Sequence, residues 1–249
     1  QGNAATARGI DVEEGANVGT LTFTNATISG FSYAGIYASD TGTPVTTPTM
    51  ANIVVTAASF FNNGFGGSNG AGHIKLFGYS GDATFDDLEI AGTSGVGDVA
   101  LRPDNAIEIT VFIQNENSAG QVDPLAPKIG TISLNDVLVT GEFEKNPVAF
   151  FNFGEIDDRL TITDLDLSGA VSNWGPLFNI DGVADEVIDV SGFDITLPSG
   201  TGIYTEIQGD KPGQGPVDQT ITGTDGNDRI IGKGGNDTLR GGEGDDELY

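Results

Sequence analysis

Short strand-like segments recur between residues 20 and 208 at a spacing that few folds accommodate. Each alternates apolar residues with Thr, Ser or Asp, most end in a Gly or Asn turn, and none shows the apolar stripe of a helix. Their starts lie roughly 27 to 32 residues apart with one longer gap, within the period of solenoid repeats. The segments are 21–30, 53–63, 83–92, 131–141, 160–169 and 187–197.

A second, shorter apolar strand follows each segment after a loop of variable length. A right-handed parallel β-helix of about six coils explains both features, because stacked coils bury alternate residues and let loops of any length leave at the corners. An antiparallel sandwich also has short strands and turns, but repeated strands at coil spacing favour the β-helix. The second strands are 35–38, 72–78, 107–113, 148–154, 176–182 and 202–207.

The charge balance excludes several classes of protein. Acidic residues outnumber Lys and Arg by 36 to 10, which gives a formal charge of −26 and argues against a nucleic-acid partner. Cysteine is absent, so the fold contains no disulfides, and no apolar run is long enough to predict a membrane span. The 37% hydrophobic content is too high for a disordered chain.

The composition changes after the last predicted coil. Residues 209–222 are rich in Gly, Pro, Asp and Gln, which predicts a linker between a β-helix at 1–208 and a repeat region at 223–249. The opening residues lack the charged and apolar regions of a signal peptide, and the last repeat ends without a terminating segment. We therefore expect flanking sequence at both ends.

The repeat region consists of three consecutive nonapeptides. Residues 223–231, 232–240 and 241–249 all carry Gly at positions one and four, Asp at position six, and Ile or Leu at position eight. This pattern resembles the G-G-x-G-x-D-x-U-x repeat of the RTX (repeats-in-toxin) family, and the resemblance covers 27 of 249 residues. It implies a short β-roll that binds Ca²⁺ after the β-helix. The implied calcium residues are Asp228, Asp237, Asp246, Gly226, Gly235 and Gly244.

The family arrangement also implies which repeats share an ion. Glycine permits the tight turns, and aspartate supplies the hard oxygen ligands that Ca²⁺ prefers. Because an ion in this family lies between repeats n and n+2, Asp228 and Asp246 are expected to share one. Asp237 would need a neighbour beyond Tyr249 or before Gly223. Without calcium, the stacked carboxylates repel, so the region is expected to fold on binding.

The resemblance implies a secreted protein at a bacterial cell surface, with a binding, adhesive or structural role and contact with carbohydrate. The alternative is a polysaccharide-modifying enzyme, such as a lyase, C5-epimerase or glycoside hydrolase, because secreted mannuronan epimerases combine this repeat with a β-helix. Whether the chain is an enzyme stays open at this point. Exposed strand edges at the solenoid ends also predict possible self-association.

Strand alternation gives candidate catalytic residues for the enzyme alternative. If Ile74 and Leu76 point inward, neighbouring side chains face outward, where a groove could bind sugar. A solvated histidine without catalytic role is the competing interpretation. The candidates are His73, Lys75, Tyr79 and Arg102.

Three observations weigh against a polyuronate-active site. The catalytic Asp-Pro-His-Glu pattern of the epimerases is missing, because Asp123-Pro124 is followed by Leu-Ala. Adjacent strand residues face opposite sides, so the carboxylate pairs Asp86–Asp87 and Asp157–Asp158 are not expected to act together unless a turn intervenes, and solvated corners are the favoured interpretation. The region before the linker has few basic residues, so a polyanion would meet a repulsive surface.

Overall fold

The protein is built from β-strands that pair in parallel. The computed structural model describes residues 7–13, 19–39, 52–64, 71–77, 81–93, 102–110, 130–151, 160–173, 175–182, 187–199, 204–210 and 216–249. These residues form nineteen strands in three sheets and contain no helix, hence none that could cross a membrane. One isolated antiparallel bridge, between Thr93 and Glu142, lies outside the parallel ladders.

The nineteen strands are numbered β1 to β19 along the chain, and nine of them form sheet one. They stack as β1 (Arg8–Glu13), β4 (Ala34–Ser39), β6 (Gly72–Phe77), β8 (Asn105–Thr110), β10 (Val148–Phe151), β12 (Phe178–Asp181), β15 (Thr205–Gln208), β17 (Asp228–Ile231) and β19 (Glu247–Leu248).

Sheets two and three complete the coils. Sheet two contains β14 (Ile195–Thr196), β11 (Leu160–Ser172), β9 (Ile132–Phe143), β7 (Ala83–Ala91), β5 (Asn52–Phe61) and β2 (Thr20–Thr24), with β3 (Thr27–Ser29) also paired to β5. Sheet three contains β13 (Val187–Asp189), β16 (Thr220–Thr222) and β18 (Thr238–Arg240).

The repeat units of the sequence correspond to the coils of this solenoid. The first strand of most units lies in sheet two and the second in sheet one, so each chain segment stacks on the equivalent segment of the next coil. Inward side chains form continuous apolar rows, such as Ile36, Ile74, Ile107, Val148 and Phe178 along sheet one, all fully buried. The prediction of an all-β parallel β-helix is confirmed.

One corner of the coil is made by a residue in the left-handed conformation in five successive coils. Asn25, Ala57, Asp87, Asp136 and Asp164 have φ between +50° and +56° and follow in-register residues of sheet two. Asn and Asp tolerate this conformation better than other L-residues because their short polar side chains hydrogen-bond locally. The turn makes Asp87 an exposed corner residue, whereas Asp86 is half-buried and accepts a hydrogen bond from Nδ2 of Asn135. Asp157–Asp158 lies outside the described residues.

The β-helix continues into the repeat region through sheet one. β15 pairs with β17 and β17 with β19, while β13 begins the separate sheet that β16 and β18 extend. Residues 220–222, which the composition assigned to a linker, are therefore strand β16. Proline and glycine upstream of this strand hid its Thr-Ile-Thr pattern.

Candidate metal centre

The repeat region is a flattened roll whose turns stack on two opposite sides. Residues 223–227 lead into β17 at Asp228 and residues 241–246 lead into β19, and we call the stack of 223–228 on 241–246 the Asp228 side. Residues 209–210, 216–219 and 232–237 precede β16 and β18, and we call their stack the Asp237 side. Repeats n and n+2 therefore share a side.

Asp228 and Asp246 are in contact on the Asp228 side. The backbone amide of Asp228 donates to Oδ1 of Asp246 at 3.0 Å, and the amide of Asp245 donates to Oδ1 of Asn227 at 2.9 Å. The structure thus places the backbone of Asp228 against the carboxylate of Asp246, the two residues that the sequence predicts around one ion.

Asp228 is a buried carboxylate at the start of its strand. It occupies the same inward row as Val148, Phe178 and Thr205 and is only 1% exposed. Burial raises its pKa to about 6, and the nearby charge of Asp246 contributes to the increase. Hydrogen bonds from Thr224 act in the opposite direction: the amide donates at 2.7 Å and the hydroxyl at 3.1 Å. A bound cation would stabilise the ionised form of this carboxyl group.

The glycines hold turn carbonyls against these carboxylates. A Cβ at Gly223 would overlap the carbonyl oxygen of Gly241 and Oδ2 of Asp228, so only glycine leaves this cradle open. Gly235 and Gly244 have φ of +117° and +108°, in the region that favours glycine, and Gly244 lies against the carbonyl oxygen of Gly226. Gly226 itself does not have a positive φ.

The Asp237 side has different chemistry at the equivalent positions. The amide of Gln219 donates to Oδ1 of Asp237 at 2.9 Å, so a neutral residue stands where Asp228 stands on the other side. Asp237 was expected to need a neighbouring ligand before Gly223. The residue at that position is Gln219, whose side chain is a neutral amide and not a carboxylate. Asp218 accepts the amide N–H of Asn236 at 2.7 Å, which matches the Asn227–Asp245 contact.

The donor set of the Asp228 side suits calcium. It offers carboxylate oxygens of Asp228 and Asp246 and the carbonyl oxygens of Gly226 and Gly241, with no nitrogen or sulfur ligand. In the described part of the chain, no group of three or more His, Asp or Glu side chains is placed to hold a metal. Backbone carbonyls would have to supply the remaining ligands, as Ca²⁺ sites allow.

The comparison with family models identifies this region. Residues 218–249 match the family model described as the RTX calcium-binding nonapeptide repeat (4 copies). No curated protein and no solved structure matched the chain. The C-terminal region is therefore an array of RTX calcium-binding repeats stacked on the end of a parallel β-helix.

The match extends beyond the three nonapeptides recognised in the sequence. It begins five residues before Gly223, so residues 218–222 form a partial repeat. The sequence indicates this partial repeat only by the nine-residue spacing, which continues upstream of Gly223. Ile221 aligns with Ile230 and Leu239, and Asp218 aligns with Asn227. Gln219 occupies the position of the calcium aspartate, so the motif residue that most identifies a copy is absent.

The described catalytic candidates each have a different partner. Nζ of Lys75 lies 2.8 Å from Oε1 of Glu108, and a guanidinium nitrogen of Arg102 lies 2.7 Å from Oε2 of Glu142. Tyr79 lies outside the described residues. These contacts show buried or part-buried ion pairs rather than groups converging on one point.

The prediction that His73 faces outward is wrong. Its side chain is fully buried, and its Nδ1 lies 3.2 Å from Nδ2 of Asn63. In the neighbouring coil, the equivalent residue is Gly35, and a Cβ there would point at Ile28 and Asn63 inside the coil. The corner that begins the strand thus turns this position inward, which strict alternation does not predict. Burial lowers the pKa of His73 to about 3, so the ring is neutral at pH 7.

Proposed function

We propose that this chain is a secreted calcium-binding solenoid protein with a binding or structural role outside the cell. The observation that carries the proposal is the Asp228–Asp246 contact within a matched RTX array. Asp228, Asp246 and the turn carbonyls would hold the ion, and the ion would supply the positive charge that lets a buried carboxylate remain ionised.

Calcium binding in this arrangement acts on stability. A ligand that binds the folded chain and not the unfolded chain stabilises the fold by mass action. Because β17 and β19 belong to the same sheet as the β-helix strands, ordering the roll also covers β15 at the end of the helix. A dissociation constant of about 10⁻⁴ to 10⁻³ M, which is typical of extracellular calcium modules, would suffice for this role.

Carbohydrate contact is the finer part of the proposal. One row of sheet two carries short hydroxyl side chains on four of the five strands that it crosses. The row consists of Thr22, Val54, Thr84, Ser133 and Thr161, so Val54 interrupts it. The overall charge of −26 would repel a polyuronate. These features support a neutral polysaccharide as the partner.

A calcium titration of the chelated full chain tests the main proposal. The melting temperature is expected to rise saturably with Ca²⁺, and Mg²⁺ at the same concentration is expected to do less because it prefers a tighter octahedral shell. An unchanged melting temperature from chelator to millimolar Ca²⁺ would contradict it. Retention of the chain on insoluble neutral glycans, compared with alginate, tests the carbohydrate part.

A further inference from the structure

The two sides of the roll differ in their charges and hydrogen bonds, and the nonapeptide motif does not predict this difference. The Asp228 side stacks turns that carry Asp225, Asp228, Glu243, Asp245 and Asp246 and contain no basic residue. With the carboxylate of Asp228 buried against the turn, this side concentrates negative charge that hydrogen bonds alone do not neutralise.

On the Asp237 side, direct hydrogen bonds occupy the same region. Asp210 follows β15, and its carboxylate accepts the amide N–H groups of Val217 at 3.1 Å and Gly234 at 2.8 Å. The amide of Asp210 in turn donates to Oε1 of Gln219 at 2.9 Å. The carboxylate of Asp210 therefore ties the two stacked turns of this side together, and the side-chain oxygen of Gln219 holds Asp210 in place.

A basic residue also lies on the Asp237 side. Nζ of Lys233 forms an ion pair with Asp181 at 2.9 Å and lies 3.5 Å from the carbonyl oxygen of Asp210. Lys233 stands at the second position of its repeat, where the motif has glycine, and it adopts a φ of +69°. The residue that departs from the motif thus brings a positive charge to the turn and connects the roll to β12.

We propose that the roll binds calcium on the Asp228 side only. On the Asp237 side, hydrogen bonds and an ion pair of Gln219, Asp210 and Lys233, which need no metal, take the place of the ion. This inference rests on the proposed calcium binding. Its consequence is that the Asp237 side stays folded without metal and provides the surface on which the calcium-dependent side forms.

Gln219 is the residue that decides the number of ions. An aspartate there would place two aspartates on the Asp237 side in the relation that Asp228 and Asp246 have on the other side, where the amide of one donates to the carboxylate of the other. Gln219→Asn is the matched control, because it has the size of Gln219→Asp and lacks the charge. Both variants shorten the side chain that accepts the amide N–H of Asp210, so that loss is common to them.

Isothermal titration calorimetry of the full chain with Ca²⁺ measures the stoichiometry. We expect one ion per native chain, one for Gln219→Asn and two for Gln219→Asp. Two ions on the native chain would overturn the one-sided assignment while leaving the calcium function intact. Zero ions, with no thermal stabilisation, would overturn both. A Gln219→Asp chain that still binds one ion would overturn the role given to Gln219.

Hydrogen exchange in chelator tests the metal-independent side by a separate readout. The amides of Val217, Gln219 and Gly234 are expected to keep their protection. Those of Asp228 and Asp245 are expected to exchange at least tenfold faster than in Ca²⁺. Equal loss of protection on both sides would overturn the proposal that the Asp237 side forms without metal.

Discussion

The amide of Asp228 donates a 3.0 Å hydrogen bond to the carboxylate of Asp246, eighteen residues further along the chain. The contact joins two turns that lie two repeats apart. It places a second carboxylate beside one that is already buried, an arrangement that is costly without a cation. We therefore expect the feature that destabilises the metal-free roll to make the roll respond to calcium.

Replacing Asp246 with asparagine should weaken calcium binding. Asp246→Asn removes one charged ligand and keeps the side-chain size, so we expect the calcium dissociation constant to rise at least tenfold, or about 1.4 kcal/mol. Asp225→Asn is the control, since Asp225 is not at the ligand position of its repeat. The measurement is the melting temperature across a calcium titration. Equal effects of the two variants would contradict the assignment of Asp246.

The left-handed corner predicts a stabilising substitution. Ala57 has a φ of +51° at a position where the neighbouring coils use Asn25 and Asp87. The left-handed conformation costs most L-residues about 1–2 kcal/mol. Ala57→Asn should therefore raise the free energy of unfolding by about 1 kcal/mol in urea denaturation. Ala57→Val should lower it, because a β-branched residue tolerates a positive φ poorly.

The ion pair between Lys75 and Glu108 predicts strong coupling between the two positions. Their side chains are only 7% and 12% exposed, so removing one partner leaves a poorly solvated charge. Lys75→Met alone should destabilise the protein by about 3 kcal/mol, whereas Lys75→Met combined with Glu108→Leu should recover most of that loss. A double-mutant cycle in urea measures the coupling. Additive effects would show that the pair is solvated.

The burial of His73 predicts that the stability of the protein depends on pH. Its pKa is about 3 in the fold and about 6.5 when unfolded, so the neutral ring contributes stability above pH 6.5 that is lost as the pH falls towards 3. Between pH 7 and pH 5, native protein should lose about 2 kcal/mol more than His73→Phe. Urea denaturation at both pH values measures this difference.

An independent check on His73 uses the histidine signal itself. The chain has one histidine, so its ring nitrogens are identified in a ¹⁵N spectrum without assignment. Nδ2 of Asn63 also lies 2.8 Å from the carbonyl oxygen of Ile28, which orients the amide as donor and makes Nδ1 of His73 the acceptor. We expect the neutral Nε2–H tautomer at pH 5. A charged ring at that pH would contradict the burial of His73.

Periodicity made the coils predictable, and local irregularity limited the rest. The alternation of Thr, Ile and Phe in segments such as 83–92 and 160–169 is set by the pleat of a half-buried strand, so strand positions could be predicted. His73 lies where the chain turns a corner and alternation fails. Asp210 and Gln219 act through contacts with residues up to 24 positions away, which no motif encodes.

The continuity of sheet one from β1 to β19 gives the protein a mechanical axis. Nine parallel strands spaced by about 4.8 Å extend for about 38 Å, and their hydrogen bonds run along the stack rather than along the strands. A pull along the stack loads each row of bonds in line, so strand pairs would separate one after another. A pull along the strands would have to shear whole rows together, and the protein would resist it more strongly.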